Sequence, residues 1–133
     1  MRRREGEWCF EVFSTLEAVE KVCADFKLWR AVACARSDPF STELLLREAL
    51  TNSVLHGCSE DPGKRIRCVF RAKPGRLLIA VRDEGEGFDW RAAWNRLSDI
   101  SDTHGRGVEI FRRYASAVRF NTKGNSITLV KRF

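Results

Sequence analysis

No run of apolar residues in this chain approaches the roughly 18 that a membrane span needs, so no segment reads as a transmembrane helix. The basic start, MRRREGEW, is not followed by an apolar stretch and does not read as a signal peptide. Five cysteines are present, an odd number with no C-x-x-C pair among them. Without close ligand pairs a zinc site is not expected. Most of the thiols sit in apolar context, as small core residues do in a reducing cytosol. No G-x-x-x-x-G-K-[ST] run exists, which excludes a P-loop. Internal repeats, low-complexity tracts and linkers are also lacking. These absences leave a single cytoplasmic domain, residues 1–133, as the expectation.

What is present can build a core. The chain has 133 residues, 44% of them hydrophobic, an ordinary share for a globular domain of that size. The net charge of +6 suits an anionic partner such as a nucleotide, a nucleic acid or an acidic protein. It serves solubility equally well, and charge alone does not choose. Arg2 to Arg4 read as a frayed tail.

The stretch Glu43 to Gly57, ELLLREALTNSVLHG, organises the rest. It reads as a helix that is apolar nearly all round, the mark of a buried helix. Leu46, Ala49, Leu50, Ser53 and Val54 fall on one broad side. Leu44, Leu45 and Leu55 fall on another, and Glu48, Asn52 and His56 share that second stripe at i, i+4 and i+8. A carboxylate and an amide are thus pushed toward low-dielectric surroundings, which costs roughly several kcal/mol of lost hydration unless partners are found. A neighbouring strand or a wet groove would satisfy them. So would a ligand: a hard cation takes oxygen donors, and a carboxylate beside it can take a proton.

Around this helix the pattern alternates between strand and helix. Residues 8–13 are rich in aromatic and β-branched types and predict a strand. Leu16, Val19, Cys23, Phe26 and Arg30 step at helical spacing to about Arg36, with Ser14 or Thr15 as cap. Asp38-Pro39 is an N-cap followed by a proline where its missing N–H is harmless, and Gly57 ends the central helix. Residues 65–71 and 77–81 predict a hairpin across a Lys73-Pro74-Gly75 turn, and the second strand runs into Asp83. Residues 88–104 read as a short lid with a helical turn or two around Trp90, Trp94 and Leu97. A helix then opens at Gly105-Arg106-Gly107, and 117–122 with 126–131 form a last hairpin. This order predicts an α+β fold, a two-layer α/β sandwich: a mixed, mainly antiparallel sheet with about three helices on one face.

Two glycine motifs bear on chemistry. Asp83-Glu84-Gly85-Glu86-Gly87, of the form D-x-G-x-G, ends a buried strand. Glycine lets the backbone approach a flat ligand. A carboxylate there accepts from an exocyclic amine and repels a carbonyl, which favours adenine over guanine. The same run would also serve as a plain turn with solvated acids. Gly105-Arg106-Gly107 at a helix start offers free N–H groups and the dipole to phosphate, with Arg106 placed to add a charge-assisted bond. A cap by Asp102 or Thr103 is the structural alternative.

The series is a buried E-x-x-x-N helix, D-x-G-x-G after a strand, a flexible connection, then G-x-G opening a helix. It resembles the Bergerat-fold ATP-binding superfamily of gyrase B subunits, sensor histidine kinases and mismatch-repair ATPases. Within it, EALTNSVLHG, DEGEGFD and HGRGVEI look most like the anti-sigma-factor serine kinases of bacterial partner-switching systems. The resemblance implies ATP and Mg²⁺ as cofactors. It implies Asn52 as the metal-coordinating residue, Glu48 as general base or orienter of the attacking hydroxyl, and Asp83 as the adenine acceptor. Gly85 and Gly87 would shape the base pocket, and Gly105 and Gly107 would line the phosphates. Ser126 or Thr128 would supply a hydroxyl near the adenine, and the residues do not choose between them. His56 reads as structural. Glu84 stands where the family often has asparagine.

A sensor histidine kinase needs a phosphoacceptor histidine on a dimerisation helix, and the two histidines here, His56 and His104, lie inside the motif stretch. Gyrase-type enzymes need further domains. The expectation is therefore a serine kinase and anti-sigma factor. Its partners would be an anti-anti-sigma (STAS-type) substrate and a sigma factor or other client, with a homodimer left open and no direct nucleic acid or membrane partner. The docking surface would border the lid, near Arg91, Arg96, Arg106, Arg112 and Arg113. The rival is an ATP-holding clamp that binds its partner and transfers no phosphate.

Overall fold

Side-chain alternation in the strands decides which face of the sheet is covered. In β2 (Glu7–Phe13) Trp8 and Phe10 are buried, in β3 (Arg65–Lys73) Ile66, Cys68 and Phe70, and in β4 (Arg76–Asp83) Leu77, Ile79, Val81 and Asp83. In β6 (Ser126–Arg132) the buried residues are Ile127 and Leu129. The computed structural model describes residues 2–4, 6–87, 89–95 and 106–133. With β1 (Arg2–Arg4) and β5 (Ala117–Phe120), these strands form a six-stranded sheet in the order β1-β2-β3-β4-β6-β5. Every pairing in it is antiparallel. The expected sheet, mixed but mainly antiparallel, is thus realised with antiparallel pairs alone among the described residues. Arg2 to Arg4 are not a frayed tail: they pair with Cys9 to Glu7 as an edge strand.

The helices cover one face. Helix α1 (Leu16–Ala33) is capped by Thr15, whose side chain accepts from the Ala18 N–H at 3.0 Å. It stops short of Arg36. The Cys34 N–H still reaches the Arg30 carbonyl at 2.9 Å, and the buried Arg30 guanidinium donates to the Ser37 carbonyl at 2.9 Å and its hydroxyl at 3.1 Å. Helix α2 (Pro39–Asn52) starts as expected, with the Asp38 carboxylate accepting from the Ser41 N–H at 3.0 Å. Val19, Val22, Phe26 and Trp29 of α1, Leu45, Leu46, Ala49 and Leu50 of α2, and the inward strand residues make one core cluster. Its centre is aromatic: Phe70 lies 5.0 Å from Phe26, 5.6 Å from Trp29 and 5.6 Å from Phe10 between ring centroids. Helix α4 (Arg106–Tyr114) adds Val108 and Phe111 to the buried interior.

The central helix changes pitch where the chemistry begins. Residues Ser53–Gly57 form a π-helical turn, closed by the Cys58 N–H on the Ser53 carbonyl at 2.7 Å. Such turns recur at functional sites. Ser59 and Glu60 then take left-handed backbone angles, φ 50° and 60°, as the chain turns back toward β3. Of the lid expected at 88–104, the described part holds a short helix, α3 (Trp90–Asn95); residues 88 and 96–105 lie outside the described residues. None of the described helices is long and apolar enough to cross a membrane.

Candidate functional site

The last residue of β4 is the focus of the site. Asp83 is 7% exposed, its side chain turned to the covered face. Its Oδ1 accepts from the Gly85 N–H at 2.8 Å, a bond possible because the chain turns at once after the strand. The Ser53 hydroxyl hydrogen-bonds the same carboxylate. Burial nevertheless dominates and raises the Asp83 carboxyl above the usual aspartate range; the Gly85 and Ser53 bonds and the charges of Lys64 and Lys123 work against that rise. A carboxylate kept in poor solvent and only part-satisfied is a strong acceptor waiting for a donor.

The glycines around it are there for contact. A Cβ on Gly57 would collide with the Asp83 carboxylate, and one on Gly85 would collide with the Gly57 carbonyl. The end of the π-helical turn therefore lies flat against the end of β4. Gly87, at φ 85°, is pressed against the Lys123 carbonyl in the β5–β6 turn, where any side chain would clash. That turn is held by Asn121, whose Oδ1 accepts from the N–H groups of Gly124 at 2.8 Å and Asn125 at 3.0 Å. Asn125, itself buried, grips the backbone of Asp83 from both sides. Its side-chain amide donates to the Asp83 carbonyl at 2.9 Å, and its backbone carbonyl accepts from the Asp83 N–H at 2.9 Å.

These elements enclose a hollow lined by Asn52, Ser53, Gly57, Asp83, Phe111 and Asn125, among others. Its free core is about 30 Å³, room for a water and not for a purine ring. Phe111 and Phe120 line the same hollow. On chemistry the residues fit an adenine nucleotide: a buried acceptor, glycine backbone that permits close approach, and an amide one π-turn away.

Asn52 lines the hollow and is half-buried, as is Glu48 one turn earlier on α2. Desolvation raises the Glu48 carboxyl above its usual range, partly offset by Arg47. The helix is less enclosed than its composition suggests. Leu55 and His56 are exposed, and the stripe carrying Glu48 and Asn52 borders the cleft instead of entering the core. Ser126 lines the hollow at the start of β6, but Thr128 does not. Thr128 is on the same side of the strand as Ser126 but two residues further along β6, past the turn end where the hollow lies. Arg106 and Gly107 begin α4, while Gly105 lies outside the described residues. Among the arginines expected at the docking side, Arg112 lies over the Trp94 ring at 5.2 Å and Arg113 over the Tyr114 ring at 5.9 Å. Arg91 is exposed on α3; Arg96 and the Arg106 side chain are outside the described residues.

Residue-by-residue reading missed Ser53, Gly57 and Asn125. Ser53 sat in an apolar stripe, where a lone hydroxyl was the available signal. Gly57 read as a helix stop and Asn125 as a turn residue. Each is defined by contact with Asp83, distant in sequence.

The model for a histidine kinase-like ATPase domain family matches residues 12–131. A relative described as "Anti-sigma F factor", from Shouchella clausii (strain KSM-K16), is 34% identical over 58 residues. The matched stretch spans 40% of this chain and 40% of that relative's length.

Proposed function

The chain belongs to the histidine kinase-like ATPase domain family, and from that premise we propose that it is an ATP-dependent serine-protein kinase and anti-sigma factor of a bacterial partner-switching system. Its substrate is a serine on an anti-anti-sigma antagonist. The observation that carries the reading is the buried Asp83 carboxylate, cradled by Gly57 and Gly85 in a cleft shared with Asn52. The relative described as an anti-sigma F factor supports the anti-sigma side of it.

Each residue has a task in this reading. Asp83 accepts from the exocyclic amine of adenine, and a guanine carbonyl is repelled there. Asn52 would hold Mg²⁺, an ion that usually keeps few protein ligands; among the described residues no cluster of three His, Cys, Asp or Glu side chains offers an all-protein cage. Bound Mg-ATP supplies the phosphoryl group and the charge that neutralises it. Glu48, poised by desolvation to hold a proton more readily than a free glutamate, takes the proton of the incoming serine hydroxyl. The start of α4, with Gly105 to Gly107, presents N–H groups to phosphate. Positioning does most of the catalytic work in such a transfer.

Incubation with Mg-ATP and an anti-anti-sigma domain, followed by phosphoserine detection, tests the reading. Wild-type protein transfers phosphate; Glu48→Gln binds ATP but transfers it ~10²–10⁴-fold more slowly; Asn52→Ala loses Mg²⁺-dependent nucleotide binding. Nucleotide-dependent partner binding without any transfer would select the clamp instead.

A further inference from the structure

The turn between β5 and β6 is closed by its own main chain. The Asn121 N–H donates to the Ser126 carbonyl at 3.1 Å, and the Gly124 N–H to the Asn121 carbonyl at 3.2 Å. The side chains of Asn121 and Asn125 add a second layer. The Asn121 Oδ1 accepts from the main-chain N–H groups of Gly124, Asn125 and Ser126, at 2.8, 3.0 and 3.2 Å. Main-chain N–H groups can only donate, so they fix which end of this amide is oxygen. Its Nδ2 therefore points the other way and donates to the Asn125 Oδ1 at 2.6 Å. That leaves the Asn125 Nδ2 to donate to the Asp83 carbonyl at 2.9 Å. The relay has one direction, set by the backbone of the turn and ending on Asp83, 42 residues from Asn125 in sequence. It also replaces a rung of the sheet. Arg82 and Ser126 are the last paired residues of β4 and β6. One step beyond, the Asp83 N–H donates to the Asn125 carbonyl at 2.9 Å. In a regular antiparallel pair the Asn125 N–H would return to the Asp83 carbonyl. It bonds Asn121 instead, and the Asn125 side chain takes its place.

We propose that Asn121 and Asn125 are positioning residues that aim the Asp83 carboxylate and thereby set the preference for a purine bearing an exocyclic amine. The proposal rests on the reading of Asp83 as the adenine acceptor. The N–H and the carbonyl of Asp83 both end on Asn125, so the place of its Cα, and with it the direction of its carboxylate, follows Asn125. The same turn meets the other end of the glycine run, where the Lys123 carbonyl lies against Gly87. A hydrogen bond weakens steeply as it leaves its preferred angle, and a binding group displaced by a fraction of an ångström loses its effect. Phosphate contacts, assigned above to Asn52 and the start of α4, do not pass through Asp83. A loosened Asp83 therefore loses what the amine contributes and keeps the rest. A turn that served the hairpin alone would act on every nucleotide alike.

Calorimetry on the full chain, with ADP and with purine riboside diphosphate, which is ADP without its exocyclic amine, tests the relay. Wild-type protein should prefer ADP by about tenfold or more. Asn125→Ala removes the donor to the Asp83 carbonyl and should bring that ratio below about threefold. Asn121→Asp keeps the three main-chain acceptor bonds, so the turn stays closed, but it offers Asn125 an oxygen where there was a donor. The Asn125 amide then turns over and sets its oxygen against the Asp83 carbonyl, and the ratio should fall in the same way. The charge that Asn121→Asp adds acts on the diphosphate of both ligands alike and leaves the ratio as it is. Thermal melts check folding, and either variant carries the test if the other does not fold. A folded variant that keeps the wild-type ratio, whether or not both affinities drop, would reduce the relay to a brace for the hairpin. That outcome overturns the proposal and leaves Asp83 as the acceptor. A wild-type ratio near one would overturn the Asp83 reading, and the proposal with it.

Discussion

Asp83 carries a conflict between stability and binding. Burial raises its carboxyl above the usual 3.8, so the unfolded chain ionises first as pH rises. Stability is then lost from the unfolded-state value upward through the raised folded-state value, and stays reduced above it. Asp83→Asn keeps the shape and the Gly85 contact while removing the buried charge. The variant should melt higher than wild type at pH 7, and the difference should shrink as pH falls toward the ordinary aspartate range, where the wild-type carboxyl is itself protonated. Calorimetry should show most ADP affinity gone, since the acceptor for the amine is no longer charged. A melting point that does not move, together with undiminished ADP binding, would remove Asp83 from the site. Glu48 shares the same physics at the other end of the stripe: half-buried, desolvated, and useful because it is uncomfortable.

At the scale of elements, the junction between α2, its π-helical turn and the end of β4 is built from glycine contact. The two glycines are not equivalent. A methyl on Gly57 meets the Asp83 carboxylate, which must leave its Gly85 bond to make room, whereas a methyl on Gly85 meets the Gly57 backbone, which has no such freedom. Gly57→Ala should therefore keep the fold with a modest drop in melting temperature while ADP affinity falls. Gly85→Ala should lower the melting temperature more, because two chain segments must separate. If Gly85→Ala melted like wild type, the close approach of these segments would not hold in solution. The β5–β6 turn braces the junction from the far side, since Asn125 fixes the Asp83 backbone and Asn121 fixes the turn.

At the scale of the whole molecule, an acceptor serine must arrive on another protein, for the proposed transfer is between chains. Phosphorylation adds about two negative charges to the antagonist and should expel it. In size exclusion, the antagonist complex should persist with ADP and dissolve with ATP, while Glu48→Gln should keep it intact with either nucleotide. A complex indifferent to the nucleotide, or one that dissolves in ATP when the antagonist lacks its serine, would rule the switch out.

Local chemistry was legible in the sequence because it acts over a few residues. The Asp38-Pro39 start of α2, a cap at Ser14 or Thr15, the alternation of β3 and β4, and the helical spacing of α1 each follow from side chains next to one another. The ordered motifs around Glu48, Asn52 and Asp83 pointed to the nucleotide-binding family for the same reason: each is a short run whose backbone needs are written in its residue types. Pairing was not legible, because a strand's partner lies far along the chain. Arg2 to Arg4 looked like a tail until Cys9 to Glu7 gave them an edge to join. Position along β6 separated Ser126 from Thr128, two hydroxyls on one side of the strand that the sequence could not rank. Ser53, Gly57 and Asn125 became site residues when the end of β4 was packed between the π-helical turn and the β5–β6 turn. Residue types and spacing determined which chemistry the chain can hold; the long-range packing of the sheet against α2 decided which side chains surround Asp83.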